Sequence, residues 1–161
     1  MKRLIAWIFA LFAFVTTLYL TGDLRVFIDI PSVFVAWLFP LLLVFSLFSP
    51  GRVFQAVRAL RAPIDAGLTA AEQQANAEIF TAFGILSLSS GVVGSLAGLV
   101  NILANLNKPE VLGVYVALSM LTIFYALLAV LFVAYPASRI LSQAAREATL
   151  LEETRAENAL V

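Results

Sequence analysis

The sequence predicts an all-α membrane protein of four transmembrane helices, and three observations carry that prediction. The chain of 161 residues is 62% hydrophobic and only 12% charged. A soluble domain is about half apolar, so the excess belongs to a chain that meets lipid. Four stretches carry no charged residue at all: Leu4–Thr21, Pro31–Ser49, Ile79–Ala104 and Val111–Tyr135. At about 1.5 Å per residue each is long enough to cross a hydrocarbon layer of about 30 Å. Within lipid, backbone polar groups must be bonded inside their own segment, so each stretch reads as a helix.

The first stretch follows Lys2 and Arg3, which is also how a secretory signal begins. Here the apolar run continues past a signal's usual length, and no small-x-small cleavage site precedes Gly22, so an uncleaved helix is expected. The second opens on Pro31, which suits a first helical turn because its missing N–H has no intrahelical partner there. Asp29, just ahead of Pro31 and Ser32, suits that helix N-terminus as a capping carboxylate. Pro40 falls inside the same stretch and should kink it. Both helices are rich in large residues, among them Trp7, Phe12, Trp37 and Phe45.

The third stretch differs. Ser87, Gly91 and Ser95 recur every fourth residue, as do Ser90, Gly94 and Gly98, with Asn101 one turn on. Small residues at this spacing let helix backbones approach closely. Their hydroxyls need partners in a dry environment, so they either serve packing or line a path. In the fourth stretch Ser119, Thr122, Ala126 and Ala129 share one face, with Tyr125 beside it. This face is expected to meet the small face of the third. Pro136 is expected to mark the end or a kink of the fourth helix.

Gly22–Ile30 and Asn105–Glu110 are short connections. Residues 50–78 read as a longer polar loop, and the tail, residues 136–161, as an amphipathic extension of the fourth helix carrying Ile140, Leu141, Ala144, Ala148 and Leu151. With both ends on one side, that side holds Lys2, Arg3, Arg52, Arg58, Arg61, Arg139, Arg146 and Arg155, and the other only Arg25 and Lys108. Positive charge favours the cytoplasm, so both termini and the loop are placed there.

Chemistry is limited. Cys and His are both absent, and the net charge is zero. Disulfides, His-based metal sites and His-dependent catalysis are excluded, and no basic patch suits nucleic acid. No Asp, Glu, Lys or Arg lies inside any of the four stretches. The expectation is a non-enzyme with no cofactor and no metal.

Four fragments then suggest a family. Phe27–Val35 (FIDIPSVFV) and Phe48–Leu60 (FSPGRVFQAVRAL) flank the second stretch. Ala77–Phe80 (AEIF) leads into Gly91, Gly94, Ser95, Gly98, Leu99, Val100 and Asn101. Asn105–Pro109 (NLNKP), Thr122, Tyr125 and Pro136 follow. In order and spacing the chain resembles the MotA/TolQ/ExbB proton-channel family, nearest its MotA branch. It departs from the family's pattern at Leu88, where a proline would stand, at Ile123, where a second threonine would, and at Leu38–Pro40 in place of Gly-Gly-Thr. Residues 50–78 replace a large cytoplasmic domain.

The resemblance implies a bacterial inner-membrane homo-oligomer, a pentamer, around single-helix partner chains of the MotB/ExbD kind whose membrane Asp takes and releases protons. This chain would be a neutral housing, with hydroxyls of Ser95 and Thr122 meeting the partner's carboxyl group. Arg52, Arg58, Arg61 and Glu72, with Asp65, would be a reduced cytoplasmic contact surface. The alternative is a non-conducting assembly scaffold, in which the small-residue faces only pack helices.

Overall fold

The computed structural model describes residues 2–22, 27–61 and 68–158, and over these it is entirely helical apart from turns. Arg25 and Asp65 lie outside the described residues, as do 159–161. Five helices follow in order: α1 (Lys2–Thr21), α2 (Ile30–Leu47), α3 (Pro50–Ala59), α4 (Ala70–Ala104) and α5 (Pro109–Asn158). Three of them, α2, α4 and α5, are long and apolar enough to cross a membrane. In α1 the apolar stretch Phe9–Leu20 is shorter.

Helix α2 starts where Asp29, in extended backbone, accepts the Ser32 N–H at 2.8 Å, with Pro31 in the first turn. It ends because Ser49 precedes Pro50, whose ring disfavours helical backbone at Ser49; ψ there is 142°. Pro50 then opens α3 at once.

Helix α4 is longer than the charge-free stretch Ile79–Ala104 within it. It starts at Ala70, behind a capping box in which the Thr69 hydroxyl accepts the Glu72 N–H and the Glu72 carboxylate accepts the Thr69 N–H at 2.9 Å. Residues 50–78 therefore hold α3 and the first turns of α4 rather than an open loop. Absence of charge marks membrane depth, whereas a helix continues wherever its backbone is satisfied, so Glu72 and Glu78 do not interrupt it.

Helix α5 is longer still, 50 residues, because Pro136 does not end it. Immediately before Pro136 the helix widens to a π-turn over Val130–Ala134, closed by Tyr135 N–H to Val130 O. The same device precedes Pro40: a π-turn over Phe34–Leu38, closed by Phe39 N–H to Phe34 O. A proline inside an α-helix lacks one N–H and its ring meets the carbonyl four residues back. Opening the previous turn by one residue relieves that conflict and lets the helix run on.

The π-turn in α5 also sets which residues face α4. The inward stripe reads Ser119, Thr122, Ala126, Ala129, then Ala134, Ala137, Leu141 and Ala144, all buried. Its steps alternate three and four except from Ala129 to Ala134. One additional residue turns an α-helix by about 100°, so without the π-turn everything beyond Ala129 would face away from α4.

The core gathers at the α3 end, where Val53, Ala56 and Ala59 meet Ala77, Phe80 and Phe83 of α4 and Ala137 and Leu141 of α5. Helix α1 touches the bundle through aromatic rings: Trp7 meets Phe132 edge-on at 6.0 Å, and Phe14 lies 6.2 Å from Phe124 and 5.5 Å from Phe132. Exposed large apolar residues occur on α1, α2, α4 and α5, including Phe12, Phe34, Val93 and Met120, as on a surface that faces lipid.

Candidate functional site

The site is built on the antiparallel pair α4–α5. Gly91 faces Ala126, and Gly98 faces Ser119, so closely that a Cβ on either glycine would overlap the opposing side chain. A Cβ at Gly94 would lie 2.7 Å from Thr122 Cγ2, and one at Gly84 would lie 2.8 Å from Ala134 Cβ. The four glycines form one seam with α5. Ser87 is part of it, fully buried, and its Oγ has no hydrogen-bond partner among the described residues.

At the Asp29 end the seam opens into a crevice of about 250 Å³ between the start of α2, α4 and α5. Its walls include Asp29, Pro31, Ser32, Gly94, Gly98, Asn101, Tyr115, Ser119 and Thr122. Thr122 Oγ1 donates to Leu118 O at 2.8 Å, so at the buried 2.9 Å contact between Ser32 Oγ and Thr122 Oγ1 the serine is the donor. Ser119 Oγ donates to Tyr115 O at 2.8 Å, and Asn101 Nδ2 to Ala97 O at 3.2 Å. Most of the lining is apolar; with these donors turned into their own helix, its polar part includes the acceptor oxygens of Ser119, Asn101 and Asp29, beside the Tyr115 hydroxyl. No wall residue is cationic. Such a lining receives water or a cation and repels anions.

Helix α2 and the residues leading into it are fixed to α5 at three points. Tyr125 OH donates to Phe27 O, Ser32 meets Thr122, and Trp37 Nε1 donates to Tyr125 O at 3.0 Å. These bonds hold one wall of the crevice against the other.

The structure sorts the residues singled out in the sequence. Asp29, Pro31, Gly94, Gly98, Asn101, Ser119 and Thr122 share the crevice. Ser87, Gly91 and Ala126 lie in the closed seam beyond it. Tyr125 is a clamp on α2, and Pro40 and Pro136 follow the two π-turns. Ser95 is half-buried and is not a wall of the crevice, whereas Thr122 is. Helical register explains this: Ser95 is one residue, about 100°, around α4 from Gly94, which faces Thr122.

Arg52, Arg58 and Arg61 are exposed at the α3 end. Glu72, also exposed and beyond the charge-free span, is occupied by the capping box; the backbone and hydroxyl bonds from Thr69 hold its carboxyl below the usual carboxylate range. Ser32, Tyr115 and Trp37 are not among the site residues that the sequence singles out. Ser32 stands in the first turn of a helix capped by Asp29, and that is the one local sign that it would face a neighbour. Among the described residues no group of three or more carboxylates forms a metal-binding cluster.

Comparison with known proteins gives no matching family model and no matching curated protein.

Proposed function

We propose that the chain is a four-span subunit of an ion-driven assembly in a bacterial inner membrane, a non-enzyme with both termini in the cytoplasm. Helix α1 is the fourth span, beside α2, α4 and α5. Several copies, five on the family resemblance, enclose the single helix of a partner whose membrane carboxylate takes and releases protons. The chain contributes a neutral housing and an aqueous entrance.

The observation that carries this reading is the form of the crevice. Its polar part is mainly acceptor oxygen and includes Asp29, and past the Gly94–Thr122 contact the α4–α5 seam is packed tight at Gly91 and Ser87. On this reading one chain offers an ion an entrance, and the packed seam bars it farther in. No charged side chain lies along the seam past that point, whereas a self-sufficient ion pathway carries one at membrane depth. A carboxylate supplied by a neighbour would complete the path. Desolvation raises such a group's pKa, so it holds its proton at depth and yields it where water enters. A proton descending 100 mV releases about 2.3 kcal/mol, enough to bias a small relative movement of two subunits.

The test is the mass of the assembly released intact from its native membrane. Several copies of this chain, together with a single-span chain bearing a membrane Asp, support the proposal. A monomer would refute it. A second reading, a non-conducting scaffold, is favoured by one observation: the Thr122 hydroxyl is buried and already engaged by Ser32 and Leu118 O. A homo-oligomer with no acid-bearing partner would support the scaffold.

A further inference from the structure

On the opposite side of α2 from the crevice lies a second cavity, about 520 Å³, lined by Val33, Trp37, Val44, Val57, Phe83 and Val133 among other apolar residues. No charged or hydrogen-bonding side chain other than the Trp37 indole lines it, and that N–H is already given to Tyr125 O. The volume suits a small-molecule site, but the lining offers nothing to orient a polar ligand.

Its length and its mouth identify the occupant. Along α2 the walls run from Val33 to Val44, about 16 Å at 1.5 Å per residue, which matches one leaflet's half of a hydrocarbon layer of about 30 Å. At the α3 end the groove is walled by Val53 and Val57 of α3. Arg58 follows Val57 directly in α3, and Arg61 stands two residues past the end of α3 at Ala59; both are exposed. Helix α3 itself contains no acidic residue, so its exposed face beside the groove is cationic. An apolar slot one leaflet deep, walled by a helix that carries exposed arginines, suits a single phospholipid chain with an anionic headgroup.

We propose that this groove binds one acyl chain of an anionic phospholipid from the leaflet on the α3 side, its phosphate held by Arg58 and Arg61. The proposal rests on the membrane reading above but not on ion coupling. A bound lipid would fill the space between α2 and α3 and tie α3 to the bilayer surface.

Trp37 is a built-in reporter, because it lines the groove and the only other tryptophan is Trp7. In the Trp7→Phe protein, reconstituted in bilayers, Trp37 fluorescence is read against phosphatidylglycerol or phosphatidylcholine brominated near the chain terminus. At equal mole fraction the glycerol lipid should quench at least threefold more strongly, and Arg58→Gln with Arg61→Gln should bring the two to parity. Equal quenching in the unsubstituted arginine background would overturn the proposal, as would a preference that survives the double substitution. Quenching by neither lipid would mean that a second copy or another protein covers the groove, and would also overturn it. Protein that does not float with the vesicles would instead sink the membrane reading itself.

Discussion

The two ends of the α4–α5 pair are held together by different physics. Toward Asp29 the contact is backbone against backbone, with Gly91 on Ala126 and Gly98 on Ser119. Toward α3 the same helices are joined by larger side chains, with Leu141 fully buried among Phe80, Phe83 and the alanines of α3. Lipid tails are as apolar as leucine, so at membrane depth burying a leucine between helices gains little, and close approach with van der Waals contact and hydrogen bonds does the joining. Where water returns, burial of apolar area again drives association. The long helices thus change their mode of contact along their length, from close backbone approach to burial of larger side chains.

This comparison can be broken most directly at the seam. Gly91→Leu should abolish the monodisperse folded protein in detergent, because the side chain has Ala126 where it must go. Gly113→Leu, with open space around the residue, should leave the elution profile unchanged. Next in size, Leu141→Ala should lower stability by about 2–5 kcal/mol in denaturant titration, the range for emptying a well-packed leucine site in water. A loss as small as that of a lipid-facing leucine would mean that the α3 end is not an aqueous core.

The clamp between α2 and α5 is expected to weigh less. Thr122→Val removes the acceptor of the Ser32 hydroxyl, and a double-mutant cycle with Ser32→Ala should give a coupling of about 1 kcal/mol, the scale of hydrogen bonds between membrane helices. Ser87→Ala, which removes an oxygen with no partner, should fall within about 0.5 kcal/mol of neutral or stabilise. The least effect belongs to the Glu72 cap. Its carboxyl is held below the ordinary range, so its contribution is present above the ordinary carboxylate pKa and is lost as pH falls through the lowered value. Amide exchange over the first turn of α4 should therefore accelerate only in acid, and Thr69→Ala should remove that pH dependence.

How far the sequence discloses this arrangement depends on whether the signal is local. The small faces of the third and fourth stretches show up as spacing, because each repeats within one helix. Asp29 before Pro31 shows up because capping spans four residues. The continuation of α4 to Ala70 is hidden, because absence of charge locates a span and says little about where a helix starts. The inward stripe of α5 is hidden in a subtler way. Ala134, Ala137 and Leu141 are out of phase with Ala126 by one residue, and only the π-turn before Pro136 brings the two halves into register. Deleting Leu131 while replacing Pro136 with Ala should convert the π-turn to ordinary helix and keep the stripe intact. The partnership of Ser32 with Thr122 spans 90 residues and has no local trace. Nor does the sequence separate Ser95 from Thr122, since both are hydroxyls on helices that pack together.

The neutral-housing account stands or falls on what the chain conducts by itself. Proton flux should be measured in vesicles containing only this chain, with a membrane potential imposed and a pH-sensitive dye inside. The account predicts a flux equal to that of protein-free vesicles, rising only when an acid-bearing single-span partner is reconstituted with it. Flux well above the protein-free level from the chain alone would contradict it.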